Sequence, residues 1–277
     1  MKQTSEKEGL ERWLRDSGYP LEMRVAATFR SHDFRVSLST FFEDADTQKR
    51  RELDVLASSF NSVSGGVLSI SIPIECKKST DKPWVLFCAG DGPEEDLYRY
   101  VFVVASDRAR SVLSGPIGGP GLGSHRFLSG SSWVGYGLRR AHGAVDEAYS
   151  AAQSVSKAAV SMRVPDGSFI DAPDPYVQII LPAIVVEGSL YACFLNLENE
   201  AELTPIDRGI LQWPHPTART GYLLVNVLTA GVVTEFAREA QAFRRAFGEE
   251  GYEPMQAMVK EWLKERADLQ KAKAESQ

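Results

Sequence analysis

Three cysteines in 277 residues, Cys76, Cys88 and Cys193, are too few and too scattered to staple a fold. None forms a CxxC pair, and all stand in apolar or strand-like runs, so they read as small core residues. The four histidines, His32, His125, His142 and His215, show no metal-ligand spacing. No GxSxG occurs, which leaves a serine hydrolase without support. The run 115–123, GPIGGPGLG, holds neither GxGxxG nor a P-loop and reads as a loop. No stretch of eighteen apolar residues occurs, and the opening MKQTSEKEGLERW is charged rather than signal-like. No membrane span is expected, and the expected setting is soluble, reducing and cytoplasmic. An excess of positive charge is missing too: the net charge is −6. That argues against coating a long nucleic acid by bulk charge, though not against a locally basic cleft.

What is present suffices for a sizeable core, since 43% of the residues are hydrophobic. Residues 5–16 read as a short helix ended by Ser17-Gly18. Pro20 then suits the first turn of a second helix reaching about Ser31, with Leu21, Val25 and Phe29 as its stripe. Residues 34–42, 51–60 and 68–79 alternate with period two and follow one another through short turns, which predicts an antiparallel meander. Further strands are expected over 83–89, 98–105 and 221–229, and a short helix capped by Asp107 is expected to run to about Leu113. Residues 141–162 form an alanine-rich helical pattern, 164–175 a loop, and 176–196 a hairpin turned at Glu187-Gly188-Ser189. Residues 198–219 read as irregular. A helix over 231–247 is broken by 248–251, and a last helix over 254–273 crosses the body or docks on a second subunit. The expected organisation is a body over 1–247 and a C-terminal helical segment over 248–277.

Within 68–79, LSISIPIECKKS, the apolar positions Leu68, Ile70, Ile72, Ile74 and Cys76 share one face. Glu75 and Lys77 share the other, one pleat apart. Such a pair is either a solvated ion pair or a catalytic pair. Asp54, on the preceding strand, is a lone acid in an apolar run, costly to bury without a partner. Glu22 lies beside the stripe of the second helix, where favourable placement at a helix start is its simplest role. Pro73 removes a ladder hydrogen bond two residues before Glu75, which predicts an edge or a bulge there.

Taken together, LEMRVAATF with Glu22, RELDVLA with Asp54 and IECKKS with Glu75 and Lys77 give Glu, Asp and Glu-X-Lys on helix, strand and strand. This resembles the PD-(D/E)XK nuclease superfamily, although Leu53 stands where its name has a proline. The resemblance covers about residues 8–86. It implies an α/β restriction-endonuclease-like fold, a mixed β-sheet flanked by helices, here with a C-terminal helical extension. It implies a metal-dependent nuclease, with DNA as the expected substrate and a restriction, repair or defence setting. The alternative is a silent nuclease-fold protein that binds nucleic acid or a protein partner. Mg2+, with Mn2+ able to substitute, would be held by Asp54, Glu75 and Glu22, with the Cys76 carbonyl as a further ligand. Lys77 would face the attacking water. Lys78 and Gln153 are implied substrate contacts, each with a solvated surface role as the alternative. Arg139, Arg140, Lys82 and Lys49-Arg50-Arg51 are candidates for a local positive surface. Targeting would come from a partner, or from a homodimer formed through the last helix.

Overall fold

The computed structural model describes residues 2–44, 46–79, 81–94, 102–106, 109, 125, 131–142, 146–162, 175–214 and 221–275. Two helices open the chain, α1 (Lys2–Asp16) and α2 (Tyr19–Ser31). Pro20 sits in the first turn of α2, where a missing N–H costs nothing, and Leu21, Val25, Ala26 and Phe29 form its buried face. β1 (Arg35–Glu43), β2 (Arg50–Val63) and β3 (Gly66–Lys78) follow as the expected antiparallel meander. Next come β4 (Trp84–Cys88), β5 (Phe102–Ala105), β6 (Trp133–Arg140), the alanine-rich helix α3 (Glu147–Ser161), β7 (Tyr176–Ile180) and β8 (Ala183–Glu187). β9 (Leu190–Leu195), β10 (Ala201–Ile206), β11 (Arg208–Pro214), β12 (Tyr222–Thr229), α4 (Val233–Glu250) and α5 (Tyr252–Glu275) complete the order. The expected glycine-rich run 115–123, the helix after Asp107, most of the 164–175 loop, residues 98–101 and His215 lie outside the described residues.

The fold is mixed α/β, a large mixed sheet flanked by helices. Its strands run β1-β2-β3-β8-β12-β11-β6-β4-β9-β10, with β7 beside the first part of β3 and β5 paired to β7. The period-two alternation builds two cores on opposite faces. On one, Ile70, Ile72, Ile74, Val55, Ala183 and Val185 meet the apolar stripes of α2 and α4. On the other, Ile184, Val186, Val225 and Val227 meet Ala148, Ala151, Ala152 and Val155 of α3. β8 contributes to both cores, which is why it reads as an unbroken apolar run. Each large side chain fully buried this way, such as Phe29 or Phe243, contributes about 2 kcal/mol.

Pro73 is neither at an edge nor in a bulge. β3 is a central strand, in continuous register with β2 from Val63↔Gly66 to Val55↔Ile74. Along its other side it pairs first with β7, up to Ser71↔Ile180, then with β8 from Ile74↔Ala183. The Ser71 carbonyl accepts from the Leu181 N–H on that side, 2.9 Å away. Backbone groups alternate sides along a strand, so Pro73 also faces that side. Its missing donor falls at the join between β7 and β8, where the partner strand is itself interrupted by Leu181-Pro182.

Three other expectations are corrected. Residues 176–196 do not form a hairpin: β8 has β3 on one side and β12 on the other, so β9 pairs instead with β4 and β10. The turn between them needs glycine, because Gly188 has φ +132° and a Cβ there would collide with the Ser79 carbonyl oxygen. The stretch 201–214 is not irregular but holds β10 and β11, whose alternation is interrupted by Pro205 and Asp207. The helix over 231–247 does not end at Gly248; α4 continues to Glu250. β6 was not anticipated at all. α5 lays Met255 and Val259 into the first core, while its second half leaves Leu263 and Leu269 exposed. Among the described residues no helix is long and apolar enough to cross a membrane.

One buried charge cluster fastens α3 to the β1–β2 turn. Asp44 is buried and accepts hydrogen bonds from Lys157 Nζ (2.9 and 3.0 Å), Arg51 Nε (2.5 Å) and the Asp46 N–H (3.0 Å). Burial alone would raise its pKa, but the bonds from Lys157 and Arg51 outweigh that and hold it well below the ordinary carboxylate value. The folded-state value lies below the unfolded one. The resulting stability is therefore present above about pH 4 and lost as the pH falls further. Lys157→Met is expected to cost about 2 kcal/mol in urea unfolding at pH 7, since Arg51 remains as a partner. It is also expected to flatten the stability loss between pH 4 and 2; a variant with the wild-type acid profile contradicts this account.

Candidate active site

The β2–β3 ladder ends at Val55↔Ile74, which places Asp54 opposite Glu75 on the same face. Beyond that point β3 stays with β8, from Glu75↔Ile184 to Lys78↔Glu187, while β2 stays with β1. The two strands part. Where a main-chain carbonyl of β2 would otherwise continue the ladder, the Cys76 N–H donates to Asp54 Oδ2 at 2.7 Å. By strand alternation the Cys76 carbonyl also faces this side. Opposite Asp54 on the outer strand, Ser39 adopts a left-handed backbone, φ +49°, in the gap between the paired residues Leu38 and Thr40. A non-glycine residue in that conformation is strained, and here the strain sits beside a functional candidate.

Glu75 is 4% exposed. Lys77 Nζ donates to its Oε2 at 2.8 Å, and Ser154 Oγ of α3 donates to its Oε1 at 2.8 Å. Lys77 Nζ also lies 3.9 Å from Asp54 Oδ2. Burial raises the Glu75 pKa; Lys77 opposes that, and the Asp54 charge adds to the rise. For Lys77, burial works to lower the pKa, but the negative charges of Glu75 and Asp54 win and the net direction is upward. Lys77 is therefore an ammonium at neutral pH in this state. Between Glu75 and Lys77, Cys76 turns its side chain into the apolar core, where burial and the surrounding carboxylates push its thiol upward.

Glu22 reaches the same region from α2. Burial raises its pKa, and the Asp54 charge raises it next. Its carboxylate makes no hydrogen bond or ion pair among the described residues. The expected four residues are thus brought within one electrostatic neighbourhood, three by direct contact and Glu22 by field. If all are ionised, three carboxylates face one ammonium, an excess of two negative charges.

The outlying candidates fare differently. Lys78 Nζ lies 3.9 Å from Glu187 Oε2, and Arg24 donates to the other oxygen of Glu187 at 2.5 Å. Gln153 is half-buried on α3 beside Ser154. The expected basic surface is largely committed elsewhere. Arg51 serves Asp44, Arg139 pairs with Asp146 at 3.3 Å, and Arg140 pairs with Glu147 at 3.0 Å. Arg50 lies over the Phe41 ring.

Asp54 and Glu75 supply oxygen donors of the kind Mg2+ or Mn2+ takes from protein, one or two carboxylates with water filling the rest. Among the described residues no group of three or more His, Cys, Asp and Glu converges as a ready-made cage.

Ser154 was missed in the sequence. It is an ordinary helix serine until α3 is laid across β3, and only its neighbour Gln153 drew attention. Lys157 and Asp44 were missed for the same reason, since they lie 113 residues apart. A hydrogen bond to a carboxylate favours its charged form. Ser154→Ala is therefore expected to raise the Glu75 titration midpoint further, and Lys77→Met to raise it more. Carboxyl-carbon NMR across pH measures both; a midpoint unmoved by Ser154→Ala would show that this bond is not formed in solution.

Comparison of the chain with models of protein families, with curated proteins and with solved structures yields no match.

Proposed function

We propose that this chain is a metal-dependent nuclease of restriction-endonuclease-like plan that hydrolyses phosphodiester bonds, with DNA as the expected substrate. The observation that carries the reading is the gathering of Asp54, Glu75 and Lys77 where β2 and β3 part. The element order supports it: α2, the β1–β2–β3 meander, α3, then β8 parallel to β3, with α2 and α3 on opposite faces.

Asp54 and Glu75 would hold Mg2+ or Mn2+, with Glu22 and the Cys76 carbonyl facing the same space. When bound, the cation would lower the pKa of a coordinated water and offset charge on the phosphoryl group. Glu75 is kept in orientation by Ser154. Asp54 is kept in orientation by the Cys76 N–H. Lys77, an ammonium on a flexible stem, would orient the attacking water or contact a phosphate oxygen. The low exposure of Glu75 strengthens each of these charge interactions relative to water.

A second reading, a silent nuclease-fold protein that binds nucleic acid or a protein partner, draws on one observation. The cations expected to form a basic surface are largely paired with acids: Lys78 and Arg24 share Glu187, Arg139 pairs with Asp146, and Arg140 pairs with Glu147. One assay separates the two. Supercoiled, linear and single-stranded DNA are incubated with the protein and Mg2+ or Mn2+, with and without chelator, beside Lys77→Ala. Cleavage is expected with metal only, falling by about 100-fold or more in Lys77→Ala. Binding without cleavage under all metals favours the silent protein. Cleavage that survives in Lys77→Ala removes this site from the chemistry.

A further inference from the structure

Both oxygens of Glu75 already have partners, Ser154 on Oε1 and Lys77 on Oε2. The same ammonium stands 3.9 Å from Asp54. Lys77 therefore sits between the two carboxylates that the nuclease reading assigns to the metal. An ammonium and a divalent ion cannot share that space without strong repulsion. Resting on that reading, we infer that Lys77 is the resident counter-cation of the site. The incoming metal displaces it from Glu75, and Lys77 is thereby released toward the substrate.

Three features make the exchange workable. The Lys77 side chain is 25% exposed, so it has a solvent side to swing into. Its four-carbon stem carries a point charge with no fixed fork, which makes it a partner that can leave. Ser154 is neutral and remains bonded to the other oxygen, so Glu75 keeps its orientation while Lys77 departs. Glu22, whose carboxylate has no ion pair among the described residues, adds to the pull on an incoming divalent ion. The order of events follows. Metal loads first, and only then does the ammonium become free for a phosphate or a water. An arginine here would grip both carboxylates with its planar fork and would yield less readily.

The test is metal binding without any substrate. Mn2+ affinity is measured by electron paramagnetic resonance for the full chain, Lys77→Met, Lys77→Arg and Glu75→Gln, each checked for fold by circular dichroism. Lys77→Met is expected to bind Mn2+ about tenfold or more tighter than wild type. Lys77→Arg is expected to bind more weakly, and Glu75→Gln to lose binding. A second measurement needs no variant: acetylation of Lys77 in the wild-type protein, read by mass spectrometry, is expected to rise when Mg2+ is added. Wild-type binding that Glu75→Gln abolishes, with Lys77→Met no tighter and Lys77 labelling unchanged, overturns this inference and leaves the nuclease reading standing. No Mn2+ binding by wild type or by Lys77→Met overturns both.

Discussion

A carboxylate buried at Glu75 is the constraint around which this molecule is arranged. An unpaired charge at 4% exposure would be prohibitive, so the acid must be given partners or stay protonated. β3 supplies one partner from its own pleat, Lys77, two residues on. α3 supplies the other, Ser154, from 79 residues away. The strand holding Glu75 is central, its apolar positions fixed in the core shared with α2 and α4. The backbone that carries Glu75 is therefore held by the core on its other face.

The helix that completes the site has to lie close, and its composition permits that. α3 presents Ala151, Ala152, Ala158 and Ala159 to the sheet, all fully buried. Under it, β3 presents Ser69 and Ser71 rather than large side chains, with Gln178 of β7 bonded to Ser71 at 2.9 Å. Small residues on both sides bring the helix near enough for a short serine to reach Glu75. Asp44 and Lys157 then pin the same helix to the β1–β2 turn. The position of Ser154 thus depends on two polar anchors separated by one turn of helix, at Glu75 and at Asp44.

How much of this could be read from the chain follows the range of each interaction. The meander, its apolar face and the placement of Glu75 beside Lys77 are local matters of period two, legible in 68–79 alone. Asp54 was legible as an anomaly, an acid inside an apolar run, but its bond to the Cys76 N–H was not, because it depends on register. The helix α3 was visible in its alanines, while the role of Ser154 was not. The failures share a physical cause. A turn at Gly188 looks like a hairpin until β3 and β12 are seen to take both sides of β8. Pro73 looks like an edge residue until the partner strand proves to be broken at the same level. In each case what decided the outcome was which strand stood alongside, and nothing within ten residues encodes that.

The charge balance of the site bears on the order in which a nuclease of this kind would work. With all four groups ionised, three carboxylates against one ammonium leave the site negative, and the neighbouring Lys78 shares the Glu187 carboxylate with Arg24. A polyanion approaching that charge would be repelled. One divalent ion would cancel the two excess charges and remove that repulsion. If the nuclease reading holds, the metal is then a condition for admitting the substrate as well as for hydrolysing it. On the same reading Lys77 would gain its function at that moment, freed from Glu75 as the phosphate arrives. A single short bond between neighbours on one strand would couple loading, admission and readiness, without any lid or domain closure.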